Sequence, residues 1–207
     1  MLEFLIQGFL LGLAYLAPIG MQNMYVINSA VRMSRKRAYQ VALLTFIFDI
    51  SLAVACFFGV GIILELFPFL KGFLLLVGFI AVTYMGIRLV LSKPSLKDTA
   101  VSESLYTIAF ACFAVTWFNP QALVDGTMLI GGARAALPAS AVDVFIIGIA
   151  LASFSWFTGL ATATSMFKSM LDEKALKLIN ILCGAFLAIY GLRLGYELLV
   201  LLQWHIF

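Results

Sequence analysis

The sequence predicts an all-α polytopic membrane protein: six transmembrane helices forming two inverted three-helix repeats, with helices 1 and 4 broken. Three observations predict it. The 207 residues are 64% hydrophobic and 11% charged, with a mean hydropathy of +1.10, which leaves too little polar surface for a soluble domain. Apolar runs of membrane-spanning length follow one another with only short polar connections. Local motifs of the first half of the chain recur in the second.

The runs cover 2–31, 38–66, 69–91, 105–133, 138–167 and 176–203. The first does not read as a removable signal: it begins Met1-Leu2-Glu3 without a basic n-region and outlasts the usual apolar core of a signal peptide. At roughly 30 residues it would be about 45 Å long as one straight helix, against a hydrocarbon core of about 30 Å. Something must tilt or break it, and "APIGMQN" (17–23) is suited to do so. Pro18 lacks a backbone donor and clashes with the preceding turn, and Gly20 tolerates dihedrals that other residues avoid. The basic connection "RMSRKR" (32–37) leads to run 2, which carries Asp49. Pro68 opens run 3, which ends in "YMGIRL" (84–89). The polar linker "SKPSLKDTAVSES" (92–104) precedes run 4, where "TWFNPQALVDG" (116–126) repeats the break with Asn119 and Pro120. Pro138 opens run 5; the charged "KSMLDEKALK" (168–177) precedes run 6, which holds "IYGLRL" (189–194). No connection is long enough for a second domain, so residues 1–207 read as one transporter domain. Repeat one covers about 1–91, a cytoplasmic linker 92–104, and repeat two about 105–207.

The two tails, each with an upstream glycine (Gly78, Gly184), match runs 3 and 6; "PIGMQN" and "NPQALVD" match runs 1 and 4. Three spans per repeat insert the second copy upside down, the architecture of secondary transporters whose site lies near the midplane between repeats. Chance recurrence of Gly-aromatic-Arg tails at membrane interfaces is the competing explanation. Arg32, Arg35, Lys36, Arg37, Lys93, Lys97, Lys168, Lys174 and Lys177 fall in the connections after runs 1, 3 and 5, against Lys71 and Arg134 on the other side. By the positive-inside rule both termini lie outside the cytoplasm, with Arg88 near the cytoplasmic face and Arg193 near the opposite one. A net charge of +3 gives nucleic acid no purchase. Cys56, Cys112 and Cys183 match no zinc or disulfide spacing and read as packing residues. No cofactor and no metal site is expected.

Polar residues deep in apolar runs are the candidate site. Two broken helices facing each other offer unpaired N–H groups that, with the helix dipole, favour a carboxylate. Gln22 and Asn23 can satisfy freed backbone groups or touch a solute; as bland alternatives they and Asn119 are interhelical hydrogen-bond glue, and the prolines are simple kinks. Asp49 lies about 16 Å along run 2, and Asp125 follows the second break. With no Lys or Arg at comparable depth, neither acid has an obvious internal salt-bridge partner. Each would then hold a proton, or sit ionised in a wet cavity that attracts a cation.

On these residues the sequence resembles the LysE family of amino-acid exporters, closest to its lysine/arginine branch, over essentially the whole chain. The resemblance rests on "APIGMQNMYVI" (17–27), "LLTFIFDISL" (43–52), "TWFNPQALVDG", "IGG" (130–132) and "SWF" (155–157). Met21 stands where the family usually has a second proline, a departure expected to loosen the first break. The resemblance implies export of arginine or lysine across the bacterial inner membrane, driven by the proton gradient or membrane potential. It gives Asp49 and Asp125 a transport role, with Asn119, Pro120, Gln22 and Asn23 beside them. The implied partners are the amino acid, protons and the lipid bilayer; a homodimer is compatible with the glycine faces at Gly8–Gly12. Export of neutral amino acids of the threonine/homoserine type is a competing reading, as is a divalent-cation exporter. An intramembrane aspartyl protease also uses two aspartates, but "LVDG" (123–126) lacks its Gly-x-Gly-Asp signature.

Overall fold

The computed structural model describes residues 1–18, 20–59, 63, 66–91, 104–134, 137–167 and 173–203, and among them all regular structure is helical. The helices are α1 (Leu2–Leu16), α2 (Met21–Arg32), α3 (Arg35–Phe57), α4 (Pro68–Val90), α5 (Leu105–Trp117), α6 (Pro120–Asp125), α7 (Val142–Phe167) and α8 (Glu173–Gln203). A π-helical stretch, Gly126–Gly131, continues α6, and a 3₁₀ turn, Ala139–Ala141, leads into α7.

The boundaries have local causes. Ser34 caps α3 by accepting from the Arg37 N–H at 3.4 Å, and Ser104 caps α5 by accepting from Thr107 at 3.2 Å. α3 ends just before Gly59, whose φ of 97° is the left-handed conformation glycine adopts without strain. Run 2 was expected to continue to 66; its helix stops at Phe57, and Glu65 lies outside the described residues, as does the linker 92–103.

Three stretches are long and apolar enough to cross a membrane: α3, Ala139–Phe167, and Ile181–Leu202 within α8. Two more crossings result if each bent pair is one span: α1 with α2, at 78°, and α5 with Ala122–Gly131, at 60°. α4 has 23 residues, with a shorter apolar helix at Leu75–Arg88.

Close approach of backbones fixes the helix pairs. Gly8 abuts Phe145, Gly12 faces Ile149 and Ala152, and Gly148 faces Leu5 and Phe9, so α1 and α7 run parallel in contact. A Cβ on Gly12 would lie 2.8 Å from that of Ala152. The Gly8–Gly12 face is thus spent on a contact inside the chain. α4 and α8 pack antiparallel: Gly72 faces Leu201, Gly78 faces Leu194, and Gly86 meets Gly184 and Ala188. α3 runs parallel to α5 (Thr45 to Cys112, Ser51 to Trp117) and antiparallel to α7 (Tyr39 to Thr162, Phe57 to Phe145). The main apolar core, including Tyr15, Val41, Phe57, Ile108, Ile130, Phe145 and Phe157, fills the space between α1, α3, α5 and α7. Large apolar side chains such as Phe73, Ile80, Leu192 and Leu199 lie exposed on α4 and α8, as on a lipid-covered surface.

Candidate substrate cavity

The first break lies between Leu16 and Met21. Gly20 caps α2 with φ −112° and ψ −171°, an extended conformation open to any residue. The expectation that it supplies special dihedrals is therefore corrected. What Gly20 offers is room: a Cβ there would lie 4.0 Å from Asn119 Nδ2, so the two breaks meet at this point. Asn23 pins the bend. Its Nδ2 donates to the Leu16 carbonyl at 3.1 Å and the Pro18 carbonyl at 3.0 Å, taking up acceptors that the break removed from helical pairing. Its Oδ1 accepts from Trp156 Nε1 at 2.9 Å.

Met21, in place of the usual proline, does not undo the bend, which remains 78°. The reason is positional: Met21 is the first residue of α2, where a proline removes no helical hydrogen bond and breaks nothing. Met21 is instead fully buried against Val82, Val115, Cys183 and Leu187. It also leaves a further N–H at a helix start that no side chain caps.

At the second break Asn119 takes φ −101° and ψ 97° and caps α6, accepting from the Ala122 N–H at 3.3 Å, with Pro120 as the first helical residue. Six residues later Asp125 ends α6, where the backbone passes into the π-helical stretch. Such wide turns occur frequently at functional sites. Nothing in the apolar pattern around Asp125 marks this one.

A cavity of about 450 Å³ lies where the breaks meet. Tyr15, Pro18, Gly20, Gln22, Asn23, Asn119, Asp125 and Arg193 are among its lining residues. Asp49 is not. It is fully buried behind Gln22, whose Nε2 donates to Asp49 Oδ1 at 3.2 Å and to Thr116 Oγ1 at 3.1 Å. Asp49 Oδ2 accepts from Ser153 Oγ at 2.6 Å, and Thr116 in turn donates to the Cys112 carbonyl at 2.8 Å. With both Nε2 hydrogens used, Gln22 keeps Oε1 as its remaining polar atom.

Asp49 has hydrogen-bond partners for both oxygens, supplied by α2 and α7, which the apolar run around it could not reveal. The expectation that Asp125 has no basic residue at comparable depth is corrected: Arg193 lines the same cavity. Arg193 Nε also donates to Glu197 Oε1 at 3.1 Å, one helical turn on. Tyr15 is among the lining residues, while its hydroxyl is buried away from solvent without a hydrogen-bond partner. Ser153, Thr116, Trp156, Tyr15 and Arg193 join the site without having been assigned to it from sequence. Thr116, Trp156 and Arg193 fall within motifs that drew attention, and Ser153 and Tyr15 do not. Among the described residues, no three His, Cys, Asp or Glu side chains come together to hold a metal ion.

Comparison with known proteins bears on what such a cavity does. The family model described as "LysE type translocator" matches residues 13–198. The chain is 32% identical over 207 residues to the arginine exporter protein ArgO of Salmonella paratyphi A (strain ATCC 9150 / SARB42), covering 95% of each chain. It is equally similar, 32% with 95% of each chain covered, to that of Salmonella typhimurium LT2. The arginine exporter of Salmonella enteritidis PT4 is 30% identical over 203 residues, again with 95% of each covered. No solved structure matches.

Proposed function

This chain belongs to the family of LysE type translocators, and on that premise we propose that it is a secondary exporter of basic amino acids, arginine or lysine, in the bacterial inner membrane. One observation carries the reading: a cavity with Asp125 on its wall, at the meeting of two broken helices, in a chain similar to arginine exporters over 95% of its length. Asp125 receives the guanidinium or ammonium end of the substrate. The uncapped start of α2 presents N–H groups to the carboxylate. Asp49, one side chain behind the wall, takes up and releases a proton during the cycle, and the Gln22 contact links its charge to the site and so couples export to the proton gradient.

Alternating access follows from the pairing of helices. Six crossings in two inverted repeats are supported by their sense: α4 and α8, the third spans of the two repeats, run antiparallel. Rocking one repeat against the other about the facing breaks exposes the cavity to each side in turn.

One observation favours the neutral-amino-acid reading. Asp125 and Arg193, lining the same cavity, complement the opposite charges of any zwitterion. Efflux of labelled arginine, lysine and threonine from preloaded cells separates the two readings. Arginine or lysine efflux that falls at least about tenfold in Asp49→Asn and in Asp125→Asn, at normal membrane abundance, is the expected result. Threonine efflux surviving both substitutions moves the chain to the neutral class, and a reconstituted protein that moves no amino acid sinks both.

A further inference from the structure

We propose that Arg193 recognises the α-carboxylate of the exported amino acid, and so makes the cavity select amino acids over their decarboxylated amines. The inference rests on the cavity being the transport site, and holds whether the exported side chain is basic or neutral.

Two observations carry it. First, among the described residues the charged ones lining the cavity are Arg193 and Asp125. Asp125 can take only a positive group, yet a basic amino acid carries two cations and one anion. That anion calls for a partner, and a planar guanidinium matches a carboxylate with two parallel hydrogen bonds. Second, the guanidinium is held. Glu197, one turn along α8, accepts from Nε at 3.1 Å. The pair is not enclosed in packing: the side chains of Arg193 and Glu197 are 57% and 35% exposed. The volume, about 450 Å³, suits a small solute.

The N–H groups at the start of α2 also attract an anion, but by themselves they do not distinguish a carboxylate from chloride or from nothing. Arg193 adds the discrimination. Agmatine, which keeps the guanidinium of arginine and lacks the carboxylate, then gains nothing from this end of the site.

The test is ligand-induced thermal stabilisation of the purified full-length protein, titrated with L-arginine, L-threonine, agmatine and L-arginine methyl ester. It reads binding and needs no transport. In the native chain half-stabilisation by L-arginine is expected at a concentration at least about tenfold below that for agmatine or the ester. Arg193→Gln should raise the L-arginine concentration by at least about tenfold and leave agmatine unchanged, so that the ratio collapses. Arg193→Lys restores part of it. Arg88→Gln, the counterpart residue in α4 and not among those lining the cavity, should behave as the native chain. Equal weakening of arginine and agmatine by Arg193→Gln, or an ester as effective as arginine on the native chain, overturns the proposal. The ester comparison decides even where Arg193→Gln does not fold. Arginine binding and carboxylate selectivity without transport would sink the exporter reading and leave this one standing; no stabilisation by any amino acid sinks the inference.

Discussion

Asn23 shows how one side chain can hold a broken helix together. Its amide serves two backbone carbonyls and an indole N–H. Asn23→Leu keeps the size and strands all three. Each buried group left unsatisfied costs about 1–3 kcal/mol, partly offset by relaxation, so the variant should lose about 2–4 kcal/mol in unfolding measurements on the purified protein. A loss below about 0.5 kcal/mol would mean that the bend is held elsewhere. Asp49→Asn is a different kind of change. The Ser153 hydroxyl can turn to accept from the new amide while Gln22 still donates to its oxygen, so the fold survives and only the exchangeable proton is lost. That is why normal abundance with failed efflux is the expected pairing. The amides and Asp49 were legible in the sequence because they are polar in apolar runs. Ser153, Thr116 and Tyr15 were not, because Ser and Thr in a membrane helix usually satisfy themselves on the preceding turn. Thr158 and Thr162 do so on Phe154 and Thr158, at 2.5 and 2.6 Å, in the same α7 where Ser153 reaches across to Asp49.

At the scale of elements, α7 carries an internal control. Gly148 and Gly159 are both helical, but a Cβ on Gly148 would meet the backbone of Leu5, Phe9 and Gly8 in α1, whereas Gly159 has nothing within 4 Å. Gly148→Ala must push two backbones apart and should cost about 1–3 kcal/mol. Gly159→Ala should instead gain about 0.5–1 kcal/mol from helix propensity. Unfolding of the two purified variants checks the signs, and a shared sign would contradict the α1–α7 contact. The broken helices were legible from two things: run 1 was too long for the bilayer, and Asn119-Pro120 fell inside an apolar run. The π-helical stretch after Asp125 was not, since a single wide turn leaves the apolar pattern unchanged. Depth was also illegible. α8 has 31 residues, and no feature of its sequence says which of them reaches the cavity; Arg193 was placed at an interface on the strength of its tail motif alone.

For the whole molecule, the packing sorts the basic residues by side. α3 is antiparallel to α7, so Arg35, Lys36 and Arg37 at the start of α3 lie at the same end as Phe167, the close of α7. Lys174 and Lys177 open α8 only a few residues on, and Arg32 closes α2 beside α3. Arg134 lies at the other end, its guanidinium 4.8 Å from the ring centre of Phe58. α1 is parallel to α7, so its start belongs to the Arg134 end. The bias of nine basic residues to two, counted along the sequence, is therefore a bias between two faces wherever the residues are described, and a membrane that retains positive loops on its cytoplasmic side would leave both termini outside. Single cysteines test this in a background where Cys56, Cys112 and Cys183, all buried, are replaced by alanine. A membrane-impermeant maleimide applied to intact cells should label Ser140→Cys and spare Lys36→Cys and Lys174→Cys until the membrane is opened. The reverse pattern would overturn the orientation while leaving the cavity and its charges in place. The cavity is formed by the facing breaks, whereas orientation is set by loops some distance from it. Labelling of all three sites from outside would be more damaging, because it would remove at least one crossing and with it the inverted pairing of α4 and α8 on which alternating access depends.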